Sequence, residues 1–114
     1  MPYLSIQTNT QLSDTRQAAI LEMASPLVAE SLGKPERYVM VSFEPHKPMR
    51  FAGTDEPCAY LELKSIGLSD SQTGKLSAAL AELLEQETDV SKDRVYIEFA
   101  DAPRAFWGWN GGTF

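Results

Sequence analysis

Cysteine and histidine are almost absent from this chain of 114 residues, which has one of each, Cys58 and His46. A lone cysteine excludes an internal disulfide and a CxxC redox pair. With so few His and Cys side chains, clusters rich enough to bind zinc or iron are not expected. His46 lies between two prolines in EPHKPMR and reads as a surface-loop residue; no serine elbow accompanies it, which sets Ser-His-Asp hydrolase chemistry aside. Basic residues are also scarce: 10 Lys and Arg against 16 Asp and Glu give a net charge of −6. That balance argues against nucleic acid or an anionic membrane as a partner, since both require a basic surface. The acidic cluster Glu82, Glu85, Glu87 and Asp89 reads as a solvated helix face. No apolar run approaches the roughly 18 residues of a membrane span. The start has neither the basic stretch nor the apolar stretch of a signal peptide, so the cytoplasm is the expected location.

What is present is an ordinary globular composition, 43% hydrophobic, in a chain of single-domain length covering 1–114. It contains an internal repeat. YLSI (3–6) returns as YLEL (60–63), LSD (12–14) returns as LSD (68–70), and RYVMVSF (37–43) has its counterpart in RVYIEF (94–99). The chain therefore divides into two similar units, about 1–56 and 57–114.

Each unit reads as strand, helix, strand. Tyr3 to Thr8 alternates as a half-buried strand. Ser13 and Asp14 mark an N-cap for a helix with Ile20, Ala24, Leu27, Val28 and Leu32 on one stripe, ended by Gly33 and Pro35. Pro26 inside that segment predicts a kink or a break. In the second unit, Ser69 and Gln72 form a capping box ahead of a stripe of Leu76, Ala79, Leu80, Leu83 and Leu84, with strands at about 58–66 and 94–100. The fold class is α/β in the α+β sense. Two β-α-β units make a four-stranded mixed sheet with both helices on one face.

One alternation set, Leu4, Ile6, Val39, Val41, Phe43, Leu61, Leu63, Val95, Ile97 and Phe99, should pack beneath the helices. The other set carries Tyr3, Tyr38, Tyr60 and Tyr96. Tyrosine favours half-covered settings, so this face is expected to be covered by further copies of the chain in a closed symmetric oligomer.

The opening MPYLSIQTN raises a chemical possibility. Removal of Met1 turns Pro2 into the amino terminus, where its nitrogen is a secondary amine able to act as a base. Amino termini titrate near pH 7.7–8.0, and burial lowers the value further toward the working range of a general base.

MPYLSIQTN, GKPERYV (33–39), EPCAYLELKSIG (56–67), DRVYIEF (93–99) and GWNGGTF (108–114), in this order and spacing, resemble the macrophage migration inhibitory factor family of the tautomerase superfamily. The resemblance spans the whole chain and implies a homotrimer with three active sites at subunit boundaries, in which the GWNGGTF tail pairs with a neighbour. The implied activity is keto–enol tautomerisation of a small aromatic α-keto acid such as phenylpyruvate, and of dopachrome-like compounds, with no metal or cofactor.

The same resemblance implies residue roles. Pro2 is the base, and Lys34 binds the substrate carboxylate, although alone it would read as a cation at a helix terminus. Ile66, with Ser65 beside it, offers a backbone N–H. Tyr96 closes the pocket from the neighbouring subunit. Tyr38, Trp107, Trp109 and Phe114 line an aromatic-binding wall. Glu98 departs from the pattern, since the mammalian cytokine has asparagine there. A carboxylate at that point opposes an anionic substrate unless it is protonated or paired with Arg104. CAYL (58–61) lacks the second cysteine of the cytokine's CALC, which removes thiol–disulfide chemistry by that motif. Two alternatives stand beside the enzyme. One is a cytokine-like signalling protein with a receptor as partner, a vestigial pocket and leaderless secretion. The other is a decarboxylase or dehalogenase, which needs further arginines near Pro2, with Arg104 the candidate.

Overall fold

The computed structural model describes residues 1–114, and the alternating segments form one mixed sheet. Its elements are β1 (Tyr3–Thr8), α1 (Asp14–Leu32), β2 (Met40–Glu44), β3 (Ala59–Ile66), α2 (Asp70–Glu87) and β4 (Val95–Ala102), followed by a hairpin of β5 (Gly108–Trp109) and β6 (Gly112–Thr113). The strand order is β2-β1-β3-β4. Pairing is parallel within each repeat, β1 with β2 and β3 with β4, and antiparallel between repeats, where Leu4 faces Leu63 and Ile6 faces Leu61.

The core lies on one side of this sheet. Leu4, Ile6, Leu61 and Leu63 are fully buried against Ile20, Ala24 and Val28 of α1 and Leu76, Leu80 and Leu84 of α2. Val39, Val41, Phe43, Val95, Ile97 and Phe99 pack against the same cluster from the edges. The expected inward set is thus the observed one, because the side-chain period of two sends every second residue to the helices.

Both helices begin as their sequences require. Ser13 Oγ accepts the Arg16 N–H at 3.1 Å, and Asp14 in the first turn suits the helix dipole. In α2 the Ser69 N–H donates to Gln72 Oε1 at 3.0 Å while Ser69 Oγ accepts from the Ser71 N–H at 3.2 Å. Helix α1 runs unbroken through Pro26, contrary to the break its sequence allows. The proline removes the N–H that would meet the Glu22 carbonyl, and Glu22 is exposed, so water can replace it. The helix ends at Gly33 in the left-handed conformation (φ 64°), whose N–H and that of Lys34 close onto the Glu30 and Ala29 carbonyls at 3.3 and 2.9 Å.

Two expectations are corrected on β2. The strand starts at Met40, and Glu36–Tyr38 form a 3₁₀ turn instead. Pro35 sets the entry to that turn and Val39 N–H closes it onto the Glu36 carbonyl at 2.9 Å. Tyr38 therefore leaves the tyrosine face, which keeps Tyr3, Tyr60 and Tyr96. No element of the chain covers that face: Met40 is 66% and Tyr96 65% exposed. No helix is long and apolar enough to cross a membrane.

Candidate active site

The end of β1, the turn before β2 and the carboxy-terminal hairpin enclose a cleft of about 540 Å³. Pro2 forms its floor and is less than 2% exposed. It continues the inward register of Leu4 and Ile6, and its carbonyl accepts the Met40 N–H at 3.0 Å, extending the β1–β2 ladder by one residue. With Met1 attached the Pro2 nitrogen is an amide and has no basicity. The Met1 amine lining the same cleft is held below its ordinary value near 8, first by burial and then by the charge of Lys34.

Four of the predicted aromatic residues, Tyr38, Trp107, Trp109 and Phe114, line this cleft. The hairpin that presents them turns at Asn110 and Gly111, both at positive φ (52° and 81°), the pair a tight two-residue turn demands. Phe114 N–H then bonds the Trp107 carbonyl at 3.2 Å. Trp109 and Phe114 stack at 5.5 Å, and both meet the Tyr38 ring edge-on, at 5.5 and 6.0 Å. Within the chain, the tail folds back as a short hairpin and presents one aromatic wall.

Lys34 is aimed by the Gly33 cap. Its Nζ donates to the Ile66 carbonyl at 3.0 Å, and Ser65 Oγ donates to the same oxygen at 3.2 Å. Lys34, Ser65 and Ile66 therefore form a group next to the amino-terminal end of β1, close enough for the Lys34 charge to act on the Met1 amine, but none of the three lines the cleft itself. The expectation for Ile66 centred on its N–H; in this arrangement it is the carbonyl that organises the lysine.

Tyr96 and Glu98 are not brought to this cleft. Both lie on the uncovered face of β4. Through β3 they align with Gln7 and Ser5 of β1, so they sit five and three residues along from Pro2 and two strands away. Two strand spacings amount to roughly 10 Å, so within one chain neither side chain reaches Pro2. Tyr96 packs edge-on against Phe51 at 4.8 Å. Glu98 stands directly opposite Glu62, and neither Glu98 nor Arg104 belongs to an ion pair. Between the two carboxylates the Tyr60 phenol donates to Glu62 at 3.2 Å and is pushed above its ordinary value, by desolvation first and then by Glu62 and Glu98.

Sequence reasoning missed Tyr3, Arg37, Met40 and Ser42 as cleft residues. Tyr3 OH and Ser42 Oγ lie 2.8 Å apart across the β1–β2 pair. The signal for Arg37 was its place between Lys34 and Tyr38 in KPERY. It is this arginine, rather than Arg104, that borders the cleft.

A two-layer arrangement of paired β-α-β units, with a proline at position 2 buried in an aromatic cleft, fits the tautomerase superfamily architecture. The family model described as macrophage migration inhibitory factor matches residues 1–114. A homolog of that factor from Brugia malayi is 40% identical over 100% of this chain and 99% of its own length, and the Mus musculus protein is 37% identical over the same shares. The solved structure of a homologue from Prochlorococcus marinus superposes with a TM-score of 0.94 at 42% identity, covering 98% of each chain, and that from Toxoplasma gondii gives 0.93 at 34%. The chain belongs to the macrophage migration inhibitory factor family.

Proposed function

We propose that this protein is a keto–enol tautomerase for aromatic α-keto acids of the phenylpyruvate type, with the Pro2 amine as general base once Met1 is removed. The observation that carries this reading is the placement of Pro2: buried at the floor of an aromatic cleft, near a lysine whose Nζ is held by the Ile66 carbonyl. The Met1 amine next to it is held below its ordinary value by burial and by the Lys34 charge, and the same two effects would favour the neutral, proton-accepting form of a freed Pro2 amine.

In the reaction, the Pro2 nitrogen takes a proton from the carbon next to the keto group. The C–H electron pair becomes the enol C=C bond, the C=O π pair moves onto oxygen, and the Pro2 ammonium passes the proton to that oxygen. Ketonisation is the reverse: the neutral Pro2 amine takes the enol O–H proton and delivers it to carbon, so both directions begin from the neutral amine. Lys34 holds the carboxylate and the aromatic wall takes the ring. Activity should rise with pH as the amine loses its proton, with the midpoint below the ordinary amino-terminal value of about 8, and then level off.

Tyr96 and Glu98 act, in this reading, from a second copy. The uncovered sheet face with its three tyrosines supports a homotrimer in which β4 of one subunit borders the Pro2 cleft of the next. Light scattering tests the assembly; a stable monomer near 12.6 kDa contradicts it.

Ketonisation of enol-phenylpyruvate, followed for the protein and for Pro2→Gly after mass spectrometry verifies the loss of Met1, is the decisive assay. Equal rates end the enzyme reading. The second reading is a cytokine-like interaction protein with weak activity. The names of its relatives favour it, and it takes over if Pro2→Gly changes nothing.

A further inference from the structure

Arg37 is the only charged side chain in the wall of the cleft. Its guanidinium lies 4.8 Å over the ring of Tyr38, whose edge contacts with Trp109 and Phe114 hold that ring in place. It donates no hydrogen bond within the chain and enters none of the four ion pairs. A stacked guanidinium with all its donors free is a preorganised fork for a carboxylate.

The second repeat offers a comparison. Its matching 3₁₀ turn, Lys92–Arg94, has Asp93 at the place of Arg37 and Arg94 at that of Tyr38, and Arg94 also stacks on an aromatic ring, Phe51 at 5.2 Å. Its donors, however, are occupied: Nε donates to the Pro57 carbonyl at 2.9 Å and Nη2 to the Glu56 carbonyl at 3.0 Å. One arginine of the pair closes a loop, whereas the other faces an open cleft.

We propose that Arg37 is a specificity-determining residue, holding a second anionic group at the far end of an aromatic acid whose keto-acid end lies at Lys34 and Pro2. This rests on the tautomerase reading for the orientation of the ligand. Lys34 and Arg37 are three residues apart, so their Cα atoms are separated by at most about 10 Å. The long side chains can then grip the two ends of a phenylpropanoid acid while its ring meets the wall of Tyr38, Trp109 and Phe114. The ligand class selected is an aromatic α-keto acid with a second acidic group on the ring, in preference to the unsubstituted compound.

The probes are phenylpyruvate and its para-carboxy analogue, each measured for kcat/KM and, independently of turnover, for Kd by quenching of the cleft tryptophans. The wild-type protein should prefer the para-carboxy compound. Arg37→Gln should lower that preference about fivefold to tenfold, chiefly through KM and Kd. Arg37→Lys should restore part of it by keeping the charge and losing the fork. Raised salt should weaken the wild-type preference and leave that of Arg37→Gln unmoved. A preference unchanged within twofold in Arg37→Gln, or absent from the wild type, overturns the proposal. If Pro2→Gly matches the wild-type rate while the Kd preference still depends on Arg37, the tautomerase reading fails and this one stands. If turnover depends on Pro2 while the Kd preference ignores Arg37, the outcome is reversed.

Discussion

The two repeats share a plan and differ in what they do with it. In the first, β1 starts at Tyr3 directly after Pro2, the turn at Glu36–Tyr38 carries Arg37 outward, and a cleft opens between them. In the second, β3 starts in mid-chain at Ala59, next to the buried Cys58, and Arg94 ties the approaching segment down through Pro57 and Glu56. Phe51 and Tyr96 fill the neighbouring space. The comparison teaches that duplicated backbone geometry does not duplicate a site. The cleft lies where the Arg37 guanidinium has been left without a partner inside the chain, whereas the arginine of the second repeat's turn, Arg94, is tied to backbone carbonyls.

The largest break in this comparison is Pro2→Gly. Losing a positioned general base should reduce ketonisation roughly a hundredfold to ten-thousandfold, measured against the wild type after verifying the amino terminus by mass. Next is the arginine pair. Arg94→Gln removes two hydrogen bonds to backbone carbonyls and should cost about 1–2 kcal/mol in urea unfolding. Arg37→Gln should stay within about 0.5 kcal/mol, its effect appearing in ligand preference instead. Equal losses of stability would erase the distinction between a closing and an open arginine. The smallest expected effect is Glu98→Asn, which should raise kcat/KM for phenylpyruvate about two- to threefold by removing a carboxylate from the neighbouring cleft. No gain would remove Glu98 as a determinant.

Much of the fold was legible because burial imposes a period. Leu4, Ile6, Leu61 and Leu63 announce the inner face, and Ser13, Ser69 and Gln72 announce the helix starts. The errors came where local chemistry overrides the period. Tyr38 alternates with Met40 in sequence, yet Pro35 diverts it into a 3₁₀ turn. Pro26 sits within a helix because the carbonyl it leaves free faces water. Of the site, Pro2, Lys34 and the aromatic wall could be named from motifs, but Arg37 could not. Whether an arginine is free or occupied depends on carbonyls such as those of Glu56 and Pro57, which lie 38 and 37 residues from Arg94. Tyr96 and Glu98 were legible as residues while their distance from Pro2 was not, since it follows from the strand order.

The antiparallel seam between β1 and β3 has a consequence for the integrity of the molecule. Each half, severed, would be a lone two-stranded ribbon with one helix, its most apolar edge bare to water, and such pieces are at best marginal. A nick in the exposed turn at Ala52–Gly53 would leave the seam intact, and the fragments would remain clasped as a non-covalent heterodimer that falls apart only when the whole domain melts.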